Sequence, residues 1–421
     1  MREIIEQRKN GKLVGIASYC TANELVLEAC LSRAKQTGNK VLIEATANQV
    51  NQFGGYTGMQ PIDFKNFVYE IADRIGLDKN QILLGGDHLG PLTWQDLPES
   101  EAMENSKKLV YDYVMAGFTK IHLDTSMRVA SDPEILDTKI IASRGVELYF
   151  ECMKAYSKLK EQNPDALKPV FIIGSEVPIP GGATDVEDSL AVTSIKDFEN
   201  TIAAYKEAFE SAGISEWMND IIAVVVQPGV EFGDSQVFYY DSKNASQLCN
   251  ALKNYPNIVF EGHSTDYQKP ECLKEMVHDG IAILKVGPAL TYAAREALFA
   301  LSMIEDELLD NDKSNLINVV DEVMLEDPSN WEKHYHGTDH EKHLARKYSY
   351  SDRSRYYMGN EKIQDAITKL FDNLSKLTIP MNILHQYMPL EYTNSKSIKP
   401  KDLVIDHVVE VLKDYEDATI I

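Results

Sequence analysis

Short runs of Ile, Val and Leu recur at regular intervals between Leu13 and Gly287, and polar helical stretches separate them. The runs are LVGIAS (13–18), KVLIEA (40–45), QILLGGD (81–87), KIHLD (120–124), VFIIGSE (170–176), IIAVVVQ (221–227), NIVFEGH (257–263) and AILKVG (282–287). Each is short and almost wholly apolar, the pattern of a parallel strand covered on both faces. Between them the apolar positions take helical spacing. Thr21-Ala22-Asn23-Glu24 reads as a capping box opening a helix that stops near Gly38, and Ser194 to Asp197 has the same form before a helix stopping at Gly213. Phe64–Gly76, Glu101–Gly117, Asp241–Tyr255 and Lys269–Gly280 are further helical stretches with glycine or proline stops. Eight alternating units predict a TIM (β/α)8 barrel. An open doubly wound sheet is the rival, but no G-x-G-x-x-G follows the first run.

The pattern changes after about Leu301. An acidic helical stretch leads into HYHGTDHEKHLARKYSYSDRSRYYMG, which is polar and aromatic, and then into helices interrupted at Pro380, Pro389 and Pro400. The expected division is therefore a barrel with the metal and substrate site over 1–300. A helical C-terminal extension over 301–421 lends its Ser-Asp-Arg-x-Arg-Tyr-Tyr segment to the site.

Charge narrows the partners. The formal net charge is −23, which argues against nucleic acid and anionic membrane surfaces. An anionic substrate then needs a local cationic site. The five cysteines show no CxxC spacing and are odd in number, so they read as reduced thiols of a cytoplasmic protein. No apolar run reaches the roughly 20 residues of a membrane span. Further copies of the same chain are an expected partner.

The strand ends hold the candidate chemistry, because TIM barrels act at the carboxyl ends of their strands. Asp87 and His88, Glu44, Asp124 and Ser126, Glu176, Gln227, His263 and Lys285 all fall there. Titratable groups are costly to bury unless paired or ligated, so their convergence implies a shared polar cavity. His88 and His263, with Glu176 or Gln227, suit a divalent transition metal, zinc first and Mn, Ni or Co as alternatives. The plainer reading makes both histidines hydrogen-bonded core-edge residues. Asp87 suits a general base or acid, and Asp124 fits a catalytic or a supporting carboxylate equally. Glu44, Asn48 and Ser126 are candidate substrate contacts. Ser264, Thr265, Lys285 and Gly287 lie where TIM barrels often hold phosphate, after strands seven and eight. Arg353, Arg355 and Tyr356 form a second candidate anion site, unless the segment is a surface ion-pair run. His334, His336, His340 and His343 crowd together among charged residues and read as solvated.

The stretches IEATANQVNQFGGYTGM, GGDHLGP, HLDTSM, GSEVPIPGG, EGHSTDYQ and YSYSDRSRYY together resemble the GatZ/KbaZ family, linked to class II D-tagatose-1,6-bisphosphate aldolase. The resemblance runs from about Gly15 into the C-terminal tail. It implies a barrel similar to the zinc-dependent class II aldolases, with Asp87 as catalytic acid–base residue, His88 and His263 as metal ligands and Glu176 as the carboxylate after strand five. Two expected features are missing. Gln227-Pro228-Gly229 stands where a third ligand histidine is expected, and Lys285-Val286-Gly287-Pro288 replaces an Asn-x-Asp-Thr pattern. The resemblance implies C3–C4 aldol chemistry on tagatose or fructose phosphates, as an aldolase Z-type subunit acting with a catalytic class II aldolase subunit or as a ketose 4-epimerase. The alternative is a non-catalytic stabilising subunit. Nothing in the chain resembles a kinase: no phosphate-binding glycine loop is present.

Overall fold

The computed structural model describes residues 1–174, 191–214 and 216–419. Eight parallel strands close into a barrel: β1 (Ile16–Cys20), β2 (Val41–Thr46), β3 (Ile82–Leu89), β4 (Lys120–Leu123), β5 (Val170–Ile173), β6 (Ile221–Val226), β7 (Val259–Gly262) and β8 (Ile281–Val286). Each pairs with its neighbours in sequence, and β8 closes on β1 with Ile16 opposite Ile283. The strands coincide with the eight apolar runs. A short antiparallel pair, Glu231–Phe232 with Val237–Phe238, stands in the loop after β6.

The helices form where capping chemistry satisfies their first N–H groups. Asn23, not Thr21, caps Glu24–Thr37, accepting from the N–H groups of Leu25 and Val26 at 3.0 and 3.2 Å. The Thr21 hydroxyl instead accepts from the Asn23 N–H, so the box read from the sequence is displaced by two residues. Ser194 caps Ile195–Ser211 as its spacing predicts, accepting from the Asp197 N–H at 3.1 Å.

The chain beyond β8 wraps back onto the barrel. The final helix, Pro400–Thr419, packs against three helices of the outer ring: Glu24–Thr37, Pro270–Asp279 and Pro288–Leu308. Leu403, Val408 and Leu412 give it a fully buried face. Both ends of the barrel are tied to it. At the lower end the Gly15 N–H donates to the Thr419 carbonyl at 2.9 Å. At the upper end the Tyr415 hydroxyl donates to the Thr265 carbonyl at 2.6 Å, in the loop after β7. Among the described residues no helix is long and apolar enough to cross a membrane.

His407 in this helix joins three elements, its ring nitrogens lying 2.7 Å from Glu391 and 2.9 Å from Glu296. Burial would lower its pKa, but the two carboxylates outweigh that and push it up to about 9. A raised folded-state pKa makes the charged clasp fully stabilising below the unfolded histidine value, roughly 6.5, and lost as pH rises through 9. The stability difference between the native chain and His407→Gln, followed by urea denaturation, should be constant below about pH 6.5. It should shrink as pH rises and level off above about pH 9. A difference independent of pH would show that the imidazolium contributes nothing.

Candidate active site

The barrel interior is charged where hydrocarbon is usual. Along β4 the inward positions are Lys120 and His122, and Asp124 follows on the same two-residue period. Lys120 is fully buried between Glu44 of β2 and Glu261 of β7, at 2.6 and 2.7 Å. Glu44 also meets Lys285 of β8 at 2.8 Å, and Lys285 meets Asp87 of β3 at 2.5 Å. Asp87 in turn accepts from His122 at 2.8 Å. Opposite charges thus alternate from β7 across the barrel to β4.

Two glycines make room for this ladder. A Cβ at Gly85 would meet Glu44 Oε1 at 2.5 Å, and one at Gly86 would meet the Leu89 and Tyr113 side chains at 2.6 Å. Past them the pairing of β3 with β4 shifts register between Gly86 and Leu89, and His88 adopts φ 49°, the left-handed region. A regular pleat would send Asp87 and His88 to opposite faces. The irregularity lets both line one cavity. A non-glycine residue held in this conformation costs of order 1–3 kcal/mol and marks functional positions.

Protonation follows from partners. Burial pushes the Asp87 carboxyl up, but His88, Lys285 and the His122 hydrogen bond outweigh it and hold the group well below the usual range. Burial would lower the Lys285 ammonium, yet Asp87, Cys20 and Glu44 raise it well above its ordinary value. His122 Nδ1 lies 2.8 Å from Asp87 and 3.3 Å from the His88 backbone N–H, and its Nε2 lies 3.2 Å from the Gly174 carbonyl. Its pKa is raised accordingly, against the effect of burial, mainly by Asp87. Asp87 is therefore a carboxylate held between the Lys285 ammonium and His122.

His88 and His263 differ from His122. The Asp124 carboxyl is pulled down to about 2, against burial, chiefly by its hydrogen bond with His88. Its partner His88 Nδ1, at 2.8 Å, therefore donates, and His88 Nε2 lies 3.5 Å from Asp87. His263 Nε2 likewise donates to Glu261 at 2.9 Å and leaves Nδ1 free. Burial lowers the His263 pKa to about 3, so that ring is neutral. The two ring centroids are 5.2 Å apart. Imidazoles oriented by a carboxylate on one nitrogen are the donors that divalent transition metals take. His263 lies in a cluster with Asp87, His122 and Glu261 whose ligand-type atoms are within 4.8 Å of one another, and those three are already paired within the ladder. The donor set fits such an ion.

A cavity of about 640 Å³ opens over these groups, within the range of small-molecule sites. Of the residues singled out from the sequence, Asp87, His88, His263, Ser264, Lys285, Gly287, Asn48, Arg355 and Tyr356 line it. Glu44 lies beneath in the ladder, and Asp124 behind His88. Ser126 donates to Asp124 at 2.7 Å and supports it. Thr265 is buried, donating to the Lys285 carbonyl at 2.6 Å. The Gln227 side-chain oxygen accepts from the N–H groups of Gly229 and Val230 at 2.7 and 3.0 Å, holding the loop after β6, and the residue does not line the cavity. Arg353 is buried and donates to the Asn330 carbonyl at 2.7 Å, leaving Arg355 as the arginine at the cavity wall. Glu176 lies outside the described residues. Of the histidine run 334–343, His343 pairs with Asp321 at 3.1 Å, and His334, part-buried, has its pKa lowered to about 4 mainly by that burial. Sequence reasoning missed Lys120 and His122. The available signal was the ionisable residue at every second position of KIHLD, all on one strand face.

These features define a (β/α)8-barrel protein with a polar acid–base site at the carboxyl ends of its strands. Residues 1–420 match the family described as D-tagatose-1,6-bisphosphate aldolase subunit GatZ/KbaZ-like. The chain is 44% identical over 420 residues to the D-tagatose-1,6-bisphosphate aldolase subunit GatZ of Salmonella dublin, covering 99% of this chain and 98% of that one. It is similar, with a TM-score of 0.86 and 42% identity, to the crystal structure of a probable tagatose 6 phosphate kinase from Sinorhizobium meliloti 1021, covering 96% of this chain and 100% of that one. The chain belongs to the GatZ/KbaZ-like family.

The ladder generates a stability prediction. Lys120→Met leaves Glu261 with His263, and Glu44 with Lys285 and the Cys20 thiol. Breaking a buried pair on one side costs about 3–5 kcal/mol, and urea denaturation at neutral pH should show a loss of that order. A loss of about 0–1 kcal/mol, the worth of an exposed ion pair, would mean that water reaches the ladder.

Proposed function

We propose that this chain makes and breaks the C3–C4 bond of a ketohexose phosphate of the tagatose or fructose type, and that it uses this chemistry to invert C4. One observation carries the reading: a buried carboxylate, Asp87, held by Lys285 and His122, beside two imidazoles each fixed by a carboxylate on one nitrogen. A divalent metal held by His88 and His263, zinc first among the candidates, would supply Lewis-acid stabilisation of charge on the C2 and C3 oxygens.

The chain's own residues handle the proton. Asp87 accepts it from the C4 hydroxyl. The electron pair left on that oxygen becomes the aldehyde carbonyl as C3–C4 breaks, and the bond's electrons pass into a C2–C3 enediolate. Lys285 and His122 keep Asp87 ionised before the transfer and aimed during it. Re-addition to the opposite face of the aldehyde, with the proton returned from Asp87, inverts C4. Release of the aldehyde instead amounts to aldolase cleavage, the reading that the name of the Salmonella relative favours. Arg355, at the cavity wall, is the cation available to a phosphoryl group.

Incubating the protein and zinc with fructose 6-phosphate should yield tagatose 6-phosphate. Triose phosphates from tagatose 1,6-bisphosphate would favour the aldolase reading. Neither product would leave a stabilising partner of a catalytic class II aldolase subunit. Asp87→Asn should keep its metal, by elemental analysis, while turnover falls about 10²–10⁴-fold, the usual contribution of a positioned base. His88→Ala should lose the metal; equal metal in His88→Ala and the native chain would overturn the ligand assignment.

A further inference from the structure

The loops after β7 and β8 are where barrels of this architecture commonly seat a phosphoryl group, on the N–H groups that open the following helix. Here that helix is Pro288–Leu308, preceded by Gly287. Its N–H groups are already taken. Asp266 Oδ1 accepts from the Gly287 N–H at 3.0 Å and the Ala289 N–H at 2.8 Å. Asp266 is only 2% exposed, yet it lines the cavity. The loop that delivers it is bent on purpose: Ser264 and Tyr267 on either side have φ of 52° and 60°. Tyr415 from the last helix and the Lys285 carbonyl fix the intervening Thr265.

A second carboxyl group reinforces the first. Glu231, in the hairpin after β6, is fully buried, with Oε1 accepting from the Phe232 N–H at 2.9 Å. Burial pushes it up to about 7, and nearby Asp266 adds to the rise. Asp266 is itself pushed up to about 6 by burial. The Asp266 carboxyl therefore lines the cavity where a phosphate would need cations, with Glu231 buried nearby. Among the described lining residues the permanently charged cations are Lys285 and Arg355. Lys285 is neutralised by Asp87 and Glu44, so Arg355 remains.

We infer that Asp266 is a specificity-determining residue: it fills the strand-seven and strand-eight anion cradle from within, so that the substrate enters with an uncharged hydroxymethyl end there and carries a single phosphoryl group, held at Arg355. This rests on the ketose-phosphate reading above and adds to it which end is charged. A ketohexose 1,6-bisphosphate would bring a dianion against Asp266, and such like-charge contact costs enough to discriminate at least about tenfold.

Inorganic phosphate, titrated calorimetrically, is the first probe. The native protein should bind one equivalent, lost in Arg355→Ala. Asp266→Ser empties the cradle and should bind a second. For the same variant, kcat/KM for the 1,6-bisphosphate relative to the 6-phosphate should rise at least about tenfold. Two equivalents in the native protein, or no gain in Asp266→Ser, would overturn the inference. The unaltered protein gives a check that needs no variant: a 1,6-bisphosphate competing as well as or better than the 6-phosphate would also overturn it. If no sugar is turned over at all, the aldol reading fails, and the phosphate counts still decide the role of Asp266.

Discussion

Everything at the mouth of this barrel depends on the alternation of charge through its core. Glu261, Lys120, Glu44, Lys285, Asp87 and His122 form one chain of contacts between 2.5 and 2.8 Å. None of these groups would be tolerable alone in such a place, because an unpaired buried charge costs several kcal/mol. Each is acceptable because its neighbours carry the opposite sign. The ladder therefore couples β2, β3, β4, β7 and β8 more specifically than hydrocarbon packing would. It also explains a local oddity, since Gly85 must lack a side chain for Glu44 to lie across the barrel.

The ladder sets the state of the working groups as well as their place. Asp87 stays ionised in a buried site because Lys285 and His122 face it. His88 and His263 are each oriented by a carboxylate outside the cavity, Asp124 and Glu261, and burial keeps His263 neutral. Three histidines whose ring centroids lie 5.2–5.4 Å apart thus have two different roles, decided by what faces each nitrogen.

The C-terminal third is part of this arrangement. Asp352, at φ 42°, accepts from Arg295 and Thr291 and so anchors the segment that brings Arg355 and Tyr356 to the cavity. The Ser349 hydroxyl donates to Asp234 in the loop after β6 at 2.6 Å, and the Tyr267 hydroxyl donates to the Tyr350 carbonyl at 2.6 Å. The last helix then fills the outer ring between the helices that follow β7, β8 and β1. The wall of the site that faces solvent is thus supplied by sequence more than fifty residues beyond the barrel's last strand.

Strand number, strand order and the polar ends of the strands were legible in the sequence, because a parallel strand buried on both faces can only be an apolar run and the chain must break that run where it meets a cavity. The six motifs were enough for the family. The capping of Glu24–Thr37 was misread by two residues, because Thr21 and Asn23 are both able caps and only the backbone path chooses between them. Lys120 and His122 were hidden inside a run that looked like any other strand; their partners, Glu44, Glu261 and Asp87, come from three other strands. Arg353 and Arg355 are two residues apart with the same side chain, yet one is spent on Asn330 and the other faces the cavity. That Asp266 seals the helix start was equally beyond the sequence, where Gly287 reads as an open phosphate loop. The sequence by itself determined the barrel and which residue types gather at its mouth, since these follow from local periodicity. Only the tertiary structure decided which charges cancel, which carboxylate orients each histidine and which anion cradle is already full, because each is a matter of contacts between residues far apart in the chain.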